Sequence, residues 1–187
     1  MRLFFWLGIE HIFLGFDHIL FLLALVIVSR FGDLVKIVTS FTVAHTITLM
    51  LATLEVLRVD REWVEIAIAA TIVYTAVENF WIRPGDPAGR RRWMLTFVFG
   101  LIHGFGFAGV LGELGLPTEG LVRSLVAFNV GVEAGQLLIV AAIFPLFAGL
   151  RRLRCGRVVQ LTTSALVGLC GLGWLLDRAM GWELMPF

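Results

Sequence analysis

The sequence of 187 residues holds only two cysteines, one tyrosine and 16% charged residues, and each shortage removes a class of protein. Cys155 stands in a basic stretch and Cys170 in an apolar run, so there is neither a disulfide framework nor a CxxC pair for redox chemistry or thiolate metal binding. With 59% hydrophobic residues and a mean hydropathy of +0.92, the chain lacks the polar surface to dissolve as a globule. A formal charge of +1, its basic residues scattered in the joints between apolar runs, gives no field for nucleic acid or an acidic partner. No Gly-x4-Gly-Lys-Ser/Thr phosphate loop occurs, so nothing in the chain is built to hydrolyse a nucleotide.

What is present is apolar sequence in long runs. A bilayer core of roughly 30 Å takes about 20 helical residues, and stretches 3–28, 34–57, 63–82, 93–113, 121–150 and 158–176 reach that length. The expected fold is therefore all-α: one transmembrane domain over 1–187, a polytopic bundle of six helices with the lipid bilayer as its solvent. The opening Met1-Arg2 and apolar run has no small-residue cleavage site and carries His11, Asp17 and His18, so it reads as the first span rather than a signal peptide. Of the 15 basic residues, ten (Arg30, Lys36, Arg83, Arg90, Arg91, Arg92, Arg151, Arg152, Arg154, Arg157) fall in loops one, three and five, and five on the other side. That bias places both termini on the periplasmic side of a bacterial inner membrane. The joint Arg83-Pro84-Gly85-Asp86-Pro87 with Arg90 to Arg92 is the clearest cytoplasmic loop, and its prolines stop the third helix.

Depth turns scattered polar residues into a site. The midpoints of spans one, two, four and five fall near Phe16, His45, His103 and Gly135, which puts Asp17, His18, His45, His103 and Glu133 within about a turn of the midplane. On a continuous first helix His11 lies about 10 Å above His18, so Glu10 and His11 are expected to form a separate outer layer. Glu78 and Asn79 fall toward the cytoplasmic end of the third span. Isolated ionisable groups at mid-bilayer cost roughly 2.5 to 3.5 kcal/mol each, so several on different helices imply convergence on something that compensates them. Imidazole with carboxylate suits nickel, zinc, cobalt or iron, and the absence of sulfur ligands argues against copper(I). The candidate metal ligands are His11, Asp17, His18, His45, His103 and Glu133. Asn129 and Gln136, at helical spacing from Glu133, are expected to orient ligands or to join helices, and Glu10, Glu78 and Asn79 to line the pathway. Thr39, Thr42 and Thr46 form a stripe beside His45 suited to packing or pore lining. Gly100, Gly104, Gly106 and Gly109 flank His103 and suit close helix approach.

Four segments carry a family resemblance: Glu10-His11-x3-Gly15-x-Asp17-His18, Phe41-Thr42-Val43-Ala44-His45-Thr46-Ile47-Thr48, Gly100-Leu101-Ile102-His103-Gly104-Phe105-Gly106-Phe107-Ala108 and Phe128-Asn129-Val130-Gly131-Val132-Glu133-Ala134-Gly135-Gln136. Together, over residues 8 to 136, they resemble the HupE/UreJ family. The resemblance implies a nickel permease in which the His-x5-Asp-His element, here His11, Asp17 and His18, is important for transport. The ligand chemistry alone leaves zinc, cobalt and iron open, and the fourth segment reads His103-Gly104-Phe105-Gly106 where the hydrogenase-linked branch has His-Gly-x-Glu.

The expected activity is transport rather than catalysis. Each charge moving through 100 mV gains about 2.3 kcal/mol, so the membrane potential suffices to draw a divalent ion inward. A short internal echo, Gly8-Ile9-Glu10-His11 with Gly100-Leu101-Ile102-His103 and Phe41-Thr42-Val43-Ala44 with Phe128-Asn129-Val130-Gly131, suggests a 3+3 inverted repeat. Two rival readings use the same residues. One is an intramembrane zinc hydrolase with Asp17 or Glu133 as base, the other an electron carrier whose haem is held by His45 and His103.

Overall fold

The computed structural model describes residues 1–83, 86, 91–107, 120–182 and 184. Pro84, Gly85, Pro87 and Arg90 of the basic joint, Ala108, Gly109 and the Glu113 end of the expected fourth span lie outside the described residues. Among those described, the regular elements are helices: α1 (Arg2–Leu14), α2 (Phe16–Val26), α3 (Phe31–Thr53), α4 (Arg61–Glu78), α5 (Arg92–Gly106), α6 (Leu121–Leu150) and α7 (Gly156–Ala179). Apolar sequence of this kind adopts helices because, away from water, only the helix satisfies every backbone N–H and C=O within one segment.

Among the described residues three helices, α3, α6 and α7, are long and apolar enough to cross a membrane, and α1 with α2 makes a fourth crossing if the bent pair counts as one. The expected continuous first span is thus two helices that meet at 70°. Helix α4 has 18 residues but carries Arg61, Glu62, Glu65 and Glu78, and α5 has only 15, so neither qualifies by length and composition. The outward faces are strongly apolar: Trp6, Val43, Ile47, Val98, Val130, Leu138, Leu146, Leu166 and Leu169 are each more than two-fifths exposed. A surface of that kind wants lipid rather than water.

The tightest helix pairs are α3 with α5, α1 with α6 and α4 with α7. Glycine sets two of these crossings. A Cβ on Gly8 would overlap the Phe128 carbonyl and one on Gly131 the Phe5 carbonyl, so α1 and α6 touch backbone to backbone. Likewise Gly100 abuts the Phe41 carbonyl and Ala44 Cβ, and Gly104 the His45 carbonyl, which brings α5 against α3. Along α1 and α6 the contacts run from Phe5 with Gly131 to Ile12 with Gly135, and along α3 and α5 from Phe41 with Gly100 to His45 with Gly104, so both pairs are parallel. Without a hydrophobic force between helices in lipid, such close approach is what allows dispersion to hold them together. The short α2 sits among α1, α4, α6 and α7, and Phe21, Leu22, Ala24, Leu25 and Val26 on it are fully buried.

Candidate metal centre

The site is built on the break at Gly15. Its backbone (φ −76°, ψ 99°) is extended, a conformation any residue can adopt, so the demand for glycine comes from space. A Cβ there would stand 2.8 Å from His18 Nδ1 and 3.0 Å from Asp17 Oδ1. The turn brings His11, in the last turn of α1, beside His18, in the first turn of α2, with ring centroids 4.7 Å apart. A straight helix would hold them about 10 Å apart. The separate outer layer expected for His11 therefore does not exist, because the helix on which that spacing rested is interrupted. Glu10 is exposed and lines, with Leu7, His11, Leu14, Gly15 and Phe107, a cavity of about 340 Å³.

Among the described residues two groups of donor atoms result, His11 with His18 and His45, and Asp17 with His18 and His103, each with its atoms within 4.8 Å of one another. His18 belongs to both. Metal–nitrogen bonds of about 2 Å place two donors of one ion up to about 4 Å apart, so modest side-chain adjustment would close either group on a cation.

Hydrogen bonds fix which nitrogen is available on His18, His45 and His103. Asp17 Oδ1, which can only accept, lies 3.0 Å from His18 Nδ1, so the proton is on Nδ1 and the Nε2 lone pair is free. Asn129 Nδ2 donates to the Leu125 carbonyl at 2.8 Å, which turns its Oδ1 toward His45 Nδ1 at 3.1 Å and leaves His45 Nε2 free. Thr71 gives its single hydroxyl proton to the Ile68 carbonyl at 2.7 Å, so at 3.0 Å it accepts from His103 Nε2 and leaves Nδ1 free. His11 Nε2, His18 Nε2, His45 Nε2 and His103 Nδ1 are all buried without a protein partner. Buried polar atoms without partners cost about 1–3 kcal/mol each, so four of them converging is an arrangement that calls for a ligand. The partners on the far side of the His18, His45 and His103 rings are the kind that orient metal-binding histidines.

Other residues of the sequence reading fall elsewhere. Glu133 belongs to neither group of donors; its Oε1 accepts from Thr39 Oγ1 at 2.6 Å. Gln136 accepts from Thr42 at 2.9 Å and ties α6 to α3. Glu78 and Asn79 are engaged by Arg92, whose Nη2 lies 2.6 Å from Glu78 Oε2 and 2.7 Å from Asn79 Oδ1. Arg92, counted above as a loop charge, is 1% exposed. Along α3, His45 is about 21 Å from the start and about 12 Å from the end at about 1.5 Å per residue, so the cluster lies off the middle of that helix, toward the ends of α3, α5 and α7. One turn further from those ends, Phe21, Phe41 and Phe99 pack together beneath His103, with Phe41 5.1 Å and Phe21 5.5 Å from its ring.

A cavity of about 130 Å³ reaches the cluster, lined by His11, Asp17, His18, Glu65, Ile68, His103, Gly106, Phe107 and Trp174. It is large enough for an ion with a few waters and too small for a porphyrin. Phe41, against both His45 and His103, also occupies the space a haem between them would need, so the electron-carrier reading finds no support. Thr71 and Glu65 escaped the sequence reading. A threonine in an apolar helix and a glutamate one turn from a helix start are ordinary residues until packing sets them beside histidines.

Comparison with curated proteins and with solved structures finds no match. The family described as HupE / UreJ protein matches residues 1–178, over the cluster and every helix that positions it. The resemblance carried by the four sequence segments thus extends over nearly the whole chain, and the protein belongs to the HupE/UreJ family, which is associated with membrane metal transport rather than catalysis.

Proposed function

We propose that this protein is a permease that takes a divalent transition-metal cation inward across the bacterial inner membrane through the four-histidine cluster. The observation that carries this reading is the meeting of four histidines, each with a buried ring nitrogen that has no hydrogen-bond partner, in two donor groups that share His18, with the opposite nitrogens of His18, His45 and His103 held by Asp17, Asn129 and Thr71. Nickel is the cargo on family grounds, and the same nitrogen-rich set would accept cobalt, zinc or iron. Ligands are drawn from His11, Asp17, His18, His45 and His103, with Glu133 on the pathway beside Thr39.

The chain would cross the membrane six times, both termini outside, with α1 and α2 as one broken crossing. Discontinuous helices that place a helix start at the substrate are a recurring transporter device, and Asp17 in the first turn of α2 offsets the positive end of that dipole. Support for a 3+3 inverted repeat comes from the crossings themselves. Gly8 meets Phe128 and Gly131 across α1 and α6, and the equivalent residues of the echo, Gly100, Phe41 and Ala44, meet across α5 and α3. In this orientation the cluster lies near the outer face, and the Phe21, Phe41 and Phe99 rings close it from the cytoplasm. A cation leaving inward then passes Glu78 and Asn79, where the ion pair with Arg92 must part.

Proteoliposomes holding the full chain and an internal nickel-sensitive dye test this reading. A potassium diffusion potential, inside negative, should accelerate nickel entry severalfold, and His18→Ala, which removes the ligand common to both groups, should abolish it. Tight nickel binding with no flux at any potential would refute the permease reading in favour of storage or sensing.

A further inference from the structure

Glu65 lies in the second turn of α4, whose first turn is capped by Asp60 accepting from Glu62 N at 3.1 Å. It lines two cavities at once. One is the small cavity of the histidine cluster. The other, about 600 Å³, is bounded by Asp60, Arg61, Glu62, Asp177, Arg178 and Gly181, at the face carrying the start of α4 and the end of α7. Among the described residues four carboxylates there face two guanidiniums, which gives this part of the vestibule a negative balance. Such a mouth concentrates cations by focusing the field between low-dielectric walls. The carboxylate of Glu65 is divided between the two arginines, with Arg61 Nε 2.7 Å from Oε1 and Arg178 Nε 3.1 Å from Oε2.

Two properties make that bridge one that a cation can open. The Arg61 side chain is 74% exposed, and a water-exposed pair of this kind contributes little, so its half of the bridge parts readily. A divalent ion also bonds a carboxylate oxygen at about 2.0–2.2 Å with twice the charge of a guanidinium. Beyond Glu65, His18 and His103 line the same cavity; each is no more than 3% exposed, and His18 Nε2 and His103 Nδ1 are buried without a hydrogen-bond partner. Thr71, the partner of His103, is about 9 Å further along α4, a distance that one transfer between ligands would cover.

We infer that Glu65 binds the incoming divalent cation at the mouth of the cluster, and that the Arg61–Glu65–Arg178 bridge is a latch the cation displaces on its way to His18 and His103. This rests on the permease reading. It differs from a purely structural role, in which Glu65 only clamps α4 to α7 and its loss weakens the protein at every metal concentration.

The test is nickel uptake by proteoliposomes of the full chain over a wide range of external nickel, with equilibrium nickel binding measured on the same preparations. Glu65→Gln, nearly isosteric, should raise the half-saturating nickel concentration at least tenfold, keep the maximal rate within twofold, and leave the number of ions bound at equilibrium unchanged. Arg61→Ala, at an exposed position away from the histidines, should lower the half-saturating concentration two- to fivefold and keeps the inference falsifiable if Glu65→Gln folds poorly. A fall in maximal rate alone for Glu65→Gln, or unchanged half-saturation in both variants, would overturn the role of Glu65 while leaving the permease reading intact. Absence of nickel binding and uptake in the unaltered protein would overturn both.

Discussion

Thr71→Val removes one hydroxyl and almost no volume, and it tests whether the tautomers of the cluster are set by their surroundings. In the native site the Thr71 proton goes to the Ile68 carbonyl, so Oγ1 accepts from His103 Nε2–H and Nδ1 is left as a lone pair facing Asp17, whose Oδ2 is 3.8 Å away. With valine, the Nε2–H has no acceptor in a fully buried setting. The ring is relieved by moving its proton to Nδ1, where Asp17 can accept it, and metal binding must then return that proton to the unsatisfied side. Leaving one buried polar group without a partner costs about 1–3 kcal/mol. At about 1.4 kcal/mol per tenfold change, that lowers metal affinity by about 5- to 150-fold. Loss of an orienting partner behind a metal-binding histidine is generally worth about 10- to 100-fold, in agreement. Isothermal titration of the detergent-solubilised protein with nickel measures the change directly. Thr75→Val is the matched control, since the Thr75 hydroxyl donates to the Thr71 carbonyl, at 2.8 Å, and Arg92 reaches Thr75 only at its backbone carbonyl, so affinity should shift less than threefold. Equal affinities for the two variants would refute the tautomer argument and remove His103 Nδ1 from the ligand set.

Two further outcomes follow from the backbone. Gly15→Ala would press a methyl against His18 Nδ1 and Asp17 Oδ1, so nickel affinity should fall by at least tenfold while the helical circular-dichroism signal is retained; undiminished affinity would mean that the break can widen without disturbing the cluster. Gly8→Ala would drive a methyl into the Phe128 carbonyl and, as overpacking does, should destabilise by about 1–3 kcal/mol in thermal unfolding, whereas Gly32→Ala, with nothing within 4 Å, should not.

The sequence by itself determined that this is a helical membrane protein, which residue types it has available as metal donors, and to which family the chain is similar. These are properties of composition and residue type: apolar runs must form helices in lipid, and a chain with four histidines and little sulfur has few ways to hold a transition metal. Even the crossings were partly legible, since the echoed segments carry the glycines that set α1 against α6 and α5 against α3.

Distances were not legible. His11 and His18 are seven residues apart whether the chain runs straight or turns, and only the 70° break at Gly15 decides that they touch. Glu133 was placed with the histidines because depth along a helix can be counted from the sequence, but its direction around the helix cannot, and α6 aims it at Thr39. Arg92 has the sequence signature of a loop cation, and it is buried because Glu78 and Asn79 from another helix meet it. Thr71 and Glu65 depend wholly on their neighbours. The donor of a lone pair and the mouth of a cavity are properties of several helices packed together, so no single segment contains them.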